Sequence, residues 1–238
     1  MAALPALRLY TSNASPYCLK VMVLAHELGL ASRIELDYSV KAFPTTTHTP
    51  HSHLVPHGKI PALVVTGSAA RESVLYGSEN ICAYLDELAG GKALPSHGSI
   101  ERFEALTTES LASAIKDAAL SLRYERLERA RLLGPLLPLD DDKLMRARTQ
   151  PKELLWQDWV TGQLSKITRS IPVLARRQLP DPAAEVLGLD GVAAAVALWY
   201  VDRRAADSNW RELDGGKDLE QVRPTVLFSL PRATRGAN

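Results

Sequence analysis

Ser15-Pro16-Tyr17-Cys18 has the spacing of a C-x-x-C redox pair whose first, nucleophilic cysteine is replaced by serine. Two-thiol exchange is lost with that thiol, which argues against a disulfide oxidoreductase. What remains is a hydroxyl where a strand hands over to a helix. Unpaired N–H groups and the helix dipole favour negative charge there. A hydroxyl so placed can donate a hydrogen bond to a bound thiolate and lower that thiol's pKa from about 8.5 toward neutrality. The plain alternative is that Ser15 only caps the helix ahead of Pro16 at its first position, a preferred pairing.

A second motif, Gly58-Lys59-Ile60-Pro61, precedes a β-prone run. Its proline removes a backbone donor. In the cis form it turns the N–H and C=O of Ile60 outward, toward a peptide-like ligand. A simple tight turn explains the same residues. Just before it lie four of the six histidines, His48, His51, His53 and His57. Their spacing fits no common zinc pattern and no cysteine joins them, so the segment reads as an exposed loop without a metal. Cys18 and Cys82 fall on apolar helix faces and read as core residues.

The elements that position these residues follow from periodicity. Leu7 and Leu9 alternate as a strand, and Cys18, Val21, Ala25 and Leu28 repeat at helical spacing up to Gly29. Residues 34–40 alternate as Ile34, Leu36, Tyr38 and Val40, a half-buried strand. Residues 61–65 and 73–76 form a hairpin, and Ile81, Tyr84, Leu85 and Leu88 mark a helix from Ser78 to the glycine pair at 90–91. The order β-α-β-loop-β-β-α predicts a thioredoxin-like sheet. After residue 93 no β-alternation appears. Residues 100–132 and 140–179 read as long helices, and 192–206 as a helix apolar on nearly all sides, hence buried. The fold class is therefore an α/β thioredoxin-like domain (residues 1–88) followed by an all-α domain (96–238).

Composition agrees. The 238 residues allow one large domain or two small ones, and 46% hydrophobic with 23% charged residues excludes disordered and fibrous chains. A net charge of +1 gives no footprint for nucleic acid or an anionic membrane. Two cysteines make no disulfide scaffold, and the N-terminus shows no leader or span, so a reducing, cytoplasmic location is expected.

Three ordered motifs carry a resemblance. Ser-Pro-Tyr-Cys-Leu-Lys-Val with Ala-His-Glu-Leu-Gly-Leu (15–30), Pro-His-Gly-Lys-Ile-Pro-Ala-Leu (56–63) and Leu-Tyr-Gly-Ser-Glu-Asn-Ile-Cys-Ala-Tyr-Leu (75–85) resemble the N-terminal domain of the cytosolic glutathione transferases. Gly-Val-Ala-Ala-Ala-Val-Ala-Leu (191–198) and Arg-Pro-Thr-Val-Leu-Phe-Ser-Leu-Pro (223–231) resemble the family's helical domain. The resemblance implies a serine-type enzyme in which Ser15 is catalytic and holds the glutathione thiolate. It implies that Lys59 and the Ile60 backbone grip the middle and glycine end of the tripeptide, with Pro61 as a cis-proline. Ser78 would bind the γ-glutamyl carboxylate, for which a helix N-terminus is suited. His53 is placed near the glycyl carboxylate. Tyr17, Ile115, Leu122, Tyr124 and Leu127 would wall a pocket for a small hydrophobic electrophile, and a homodimer is expected.

This sequence departs from the family pattern at three places. Gly77 stands where an acid or amide usually holds the γ-glutamyl amino group, so that group needs another partner: Glu79, water, or an acid of a dimer mate. Val55 replaces an asparagine before Pro56. The helical domain's Thr-x-x-Asp capping box reads Gly188-Leu189-Asp190-Gly191, with Asp190 taking over the cap. Three activities stay open. Glutathione thiolate attacks an electrophilic carbon and forms a thioether. Or it adds to a conjugated alkene, the new single bond rotates and glutathione leaves, a cis–trans isomerisation suited to a fungal biosynthetic member acting on polyketide-type intermediates. Or the chain is a non-catalytic binding protein of the same fold.

Overall fold

The computed structural model describes residues 5–40, 42–43, 51–67, 72–132, 155–179 and 186–222. Their contacts divide the chain into two compact units. One comprises the described residues up to 105 together with 186–192; the other comprises 106–179 and 193–222.

The first unit is built on β1 (Ala6–Tyr10), β2 (Ile34–Asp37), β3 (Ala62–Thr66) and β4 (Glu72–Tyr76), in the order β2-β1-β3-β4. β1 pairs parallel with β2 and antiparallel with β3, and β3 pairs antiparallel with β4. Between the strands run α1 (Pro16–Glu27) and, after β4, α2 (Ser78–Leu88), which pack on each other. Leu7, Leu9 and Leu63 are buried on one face of the sheet, and Val21, Leu24, Ile81 and Leu85 are buried in the helices. On the other face Tyr10, Ala62 and Val64 cluster with Val40 and Val55. This is the thioredoxin-like arrangement expected from the order of elements.

Helix α2 stops where its sequence says it should. Gly90 takes φ +89°, its N–H donates to the Glu87 carbonyl (3.1 Å), and the Gly91 N–H donates to the Asp86 carbonyl (2.8 Å). That pair of bonds closes a helix end around a left-handed residue. The Asp86 side chain, itself buried, then accepts the Ala93 N–H at 2.6 Å and fixes the segment that leaves the unit.

β2 is shorter than the alternation predicts. It ends at Asp37, whose carboxylate takes the Ser39 N–H (2.9 Å) and so turns the chain away from the ladder. As an edge strand it also leaves Leu36 and Tyr38 exposed, so only Ile34 and Val40 of the predicted stripe are buried.

After residue 92 the described chain contains no strand. Helix α3 spans Ile100–Leu132, α4 Gln157–Ala175 and α5 Leu189–Arg204. Residues 140–154 of the expected second helix and the motif at 223–231 lie outside the described residues. The buried-helix reading holds without exception from Val192 to Leu198, every residue of which has no exposed surface. Small Ala side chains permit this close enclosure. Asp190 does not take the cap position. Gly188 does, its carbonyl receiving the Val192 N–H at 3.0 Å, and Asp190 sits inside the first turn, accepting the Gly191 N–H at 2.9 Å. In the second unit Arg211 grips both carboxylate oxygens of Asp202 (2.7 and 3.0 Å) while lying over the buried Trp210 ring, whose N–H shares that carboxylate.

No described helix is long and apolar enough to cross a membrane.

Candidate functional site

The register of the sheet assembles the candidate residues. Asp37 pairs with Tyr10, Tyr10 with Ala62, and Ala62 with Tyr76, so these four form one row across the end of the sheet. From that row the chain continues into the segment before α1, the bend after β2 and the first turn of α2, and it arrives at β3 from the 51–61 loop. Ser15, Ile60, Pro61 and Ser78 therefore emerge at the same sheet edge although 63 positions of sequence, from 15 to 78, separate the outermost pair.

Ser15 is the N-cap of α1. Its hydroxyl accepts the Cys18 N–H at 3.3 Å, and Pro16 follows at the first helical position. The cap is real, and it is compatible with chemistry. A hydroxyl that accepts one bond keeps its own proton to donate, and Ser15 is only half-buried. Cys18, one turn on, is fully enclosed, and burial pushes its thiol pKa up despite hydrogen bonding from Ser15 and Thr11. The two residues of the motif are thus sorted: the serine faces accessible space and the neutral thiol belongs to the core.

The Ile60–Pro61 peptide is cis. Pro61 is buried, Ile60 packs partly against the Tyr10–Val55 cluster, and Lys59 is exposed. Val55, where the sequence departs from the expected polar residue, is a buried anchor: its N–H reaches the His51 carbonyl (3.0 Å) and its carbonyl receives the Gly58 N–H (3.0 Å). The loop is held by apolar burial and backbone bonds.

Two histidines of the loop cluster, given no role by the sequence alone, are tied to the row. The His51 ring lies tilted against Tyr10, with centroids 4.6 Å apart, and meets Ser39 Oγ through Nε2 at 2.9 Å. His57 places its ring edge-on to Tyr76 at 4.8 Å, and its Nδ1 accepts the Lys59 N–H at 3.0 Å. His53 is exposed, and His48 lies outside the described residues. No group of three His, Cys, Asp or Glu residues is placed to hold a metal among the described residues. Asp37, hydrogen-bonded by the Ser39 hydroxyl and N–H and facing His51, is held below the usual carboxylate range.

Ser78 opens α2 and is 4% exposed. Gly77 before it takes φ +86° and ψ 114°, a conformation that costs an L side chain strain. Tyr17 on α1 is half-buried. On α3, Ile115 and Leu122 have no exposed surface and serve the core of the helical unit, whereas Tyr124 and Leu127 are partly exposed. Burial pushes the Tyr124 hydroxyl pKa up, leaving it a neutral hydrogen-bonding group.

Residues 9–93 match the family description "Glutathione S-transferase, N-terminal domain". Among solved structures, a glutathione transferase family member from Pseudomonas fluorescens Pf-5 with bound glutathione is 31% identical at a TM-score of 0.68, covering 92% of this chain and 98% of that one. A structure of a family member from the same bacterium with bound S-(propanoic acid)-glutathione is 33% identical at a TM-score of 0.64, over 91% and 89% of the two chains. A glutathione S-transferase from Methylobacterium radiotolerans, in complex with glutathione sulfonate, shares the fold at 23% identity and a TM-score of 0.67, covering 98% of each. No curated protein matches the chain.

Proposed function

The chain belongs to the glutathione transferase family, and on that premise we propose that it binds glutathione at the sheet edge and uses Ser15 to hold the thiolate for attack on a hydrophobic electrophile. The observation that carries the reading is the row from Asp37 to Tyr76, which brings the Ser15 hydroxyl, the cis Ile60–Pro61 peptide and Ser78 to one edge. Glutathione bound in one of the Pseudomonas fluorescens structures and S-(propanoic acid)-glutathione in the other support the same class of ligand here.

Each group has a task suited to its chemistry. The Ser15 hydroxyl donates to the sulfur and favours its anionic form. The Ile60 backbone and Lys59 meet the cysteinyl and glycyl parts of the tripeptide, the ammonium of Lys59 countering its terminal carboxylate. Ser78 and the first N–H groups of α2 receive the γ-glutamyl carboxylate. His51 and His57 line the approach to that edge, and His53, exposed on the same loop, meets the glycyl carboxylate. Of the side chains expected to wall the electrophile pocket, Tyr124 and Tyr17 are partly exposed, each within its own unit, and Ile115 and Leu122 hold α3 in the core of the helical unit.

Calorimetry with millimolar glutathione is the first test: absence of binding sinks both enzymatic activities and leaves a binding protein of this fold. A product heavier by glutathione identifies conjugation. A product of unchanged mass that forms only with glutathione identifies isomerisation of a conjugated alkene. Ser15→Ala is expected to lower kcat/KM at least about tenfold, since one donor to a developing anion is typically worth a few kcal/mol. Full activity in that variant would reduce Ser15 to a helix cap.

A further inference from the structure

We propose that the apolar electrophile accepted by this protein carries an anionic group, a carboxylate, which the helical unit holds with the Tyr200 hydroxyl and the guanidinium groups of Arg204 and Arg123. The inference rests on the proposed glutathione transfer and names the substrate class of its electrophile site.

Tyr200 and Arg204 lie one turn apart on α5, with 1% and 5% of their surface exposed. Among the described residues Tyr200 Oη makes no hydrogen bond, and neither does Ser208 Oγ, on a buried residue just beyond the helix. A buried hydroxyl in that state is costly unless a ligand completes it. The positive charges of Arg204 and Arg123 act on the Tyr200 hydroxyl, and so does Tyr124. Arg123 and Tyr124 belong to α3, so cations from both helices reach it. Arg126 ties the helices together there, donating to the Arg204 carbonyl at 2.8 Å and pairing with Asp207 at 2.7 Å. The Arg204 guanidinium lies 6.0 Å from the centre of the Tyr200 ring, and that of Arg123 lies 5.6 Å from the centre of the Tyr124 ring. Burial, the larger influence, pushes both tyrosine pKa values up against the pull of these cations, so both hydroxyls keep their protons.

A set of donors with two cations calls for an anion. Two acids of the same stretch are engaged, Asp202 by Arg211 and Trp210, and Asp207 by Arg126. A guanidinium has five N–H donors in a flat fork, enough to bind a carboxylate beside a protein partner. Tyr200 and Arg204 are enclosed, whereas Arg123 and Tyr124 are partly exposed, so the ligand's side of the cluster is α3. Tyr124 is also one of the side chains expected to wall the electrophile pocket, which assigns the anionic group to the electrophile. The alternative is that one water completes the Tyr200 hydroxyl, and the ligand's charge then makes no difference.

The experiment follows thioether formation by the full-length protein with glutathione and either 4-(chloromethyl)benzoate or 4-(chloromethyl)benzamide. With each compound the thiolate forms a C–S bond at the benzylic carbon as the C–Cl bond breaks and chloride leaves with the electron pair. Dividing each kcat/KM by the uncatalysed rate constant removes intrinsic reactivity. The wild type should prefer the carboxylate by at least about tenfold, and Tyr200→Phe and Arg123→Gln should each lower that preference about tenfold, the usual worth of one hydrogen bond to a charged group. Conjugation without a preference for the carboxylate, or a preference unchanged in either variant, overturns the inference while glutathione transfer stands. No conjugation of either compound overturns the transfer reading, and this inference with it.

Discussion

At the start of α1 a hydroxyl and a thiol stand three positions apart, and exposure decides which can react. Cys18 is enclosed with its pKa raised by burial. At pH 7 the native protein should therefore resist alkylation by iodoacetamide at Cys18 and label quickly only in denaturant, as peptide mass mapping would detect. Labelling of the native thiol at a model-thiol rate would contradict the burial. The serine was legible because its spacing from Cys18 imitates a redox pair. The partner of the ligand's amino group was legible only as three alternatives, Glu79, water or an acid of a dimer mate, because residue 77 has no side chain to supply it. The loop histidines show a similar limit. Composition locates the cluster, but only the pairing of Tyr10 and Tyr76 with Ala62 brings His51 and His57 to the strand ends.

Among the elements, α5 carries the clearest pH dependence. Burial raises the Asp190 pKa, outweighing the bond from the Gly191 N–H that favours the carboxylate. Folding thus favours the protonated form. The associated stability is complete below the unfolded value near 3.8 and is lost as pH rises through the higher folded value. Asp190→Asn keeps an acceptor for Gly191 without the charge. It should melt higher than the wild type at pH 7, with the difference vanishing toward pH 3. A lower melting temperature at pH 7 would show that the helix dipole outweighs burial. Sequence periodicity foretold α5 and its enclosure, since a run of Ala and Val leaves no polar stripe. It overestimated β2, because an edge strand can expose Leu36 and Tyr38, and the Asp37 turn is a matter of one carboxylate bond. On α3 it found the helix but not which of its residues reach the surface: the family resemblance implied Ile115 and Tyr124 alike, and packing separates them, Ile115 buried and Tyr124 partly exposed.

For the whole molecule, chain order and packing divide the residues differently. Cutting between 88 and 96 is a proposal about sequence domains; the described segment 186–192 packs with the sheet unit. There the Leu189 N–H reaches the Ala93 carbonyl at 2.9 Å and the Leu187 N–H reaches Glu27 Oε2 at 3.0 Å. A fragment of residues 1–95 should accordingly unfold at a lower denaturant midpoint than the same region in the full chain, followed by hydrogen exchange of β1 and β3 amides. Equal protection would make the early part of the chain self-sufficient. The row across the strand ends has a further implication. A slip of β3 by one residue along β1 would displace Pro61 by about 3.3 Å and turn Leu63 out of the core. Mispaired sheets would then lose the pocket together with the packing. A ligand that recognises only the correctly paired edge adds its binding free energy to that pairing alone, so glutathione would act as a proofreader of strand alignment, rewarding one register among the several a short strand can sample.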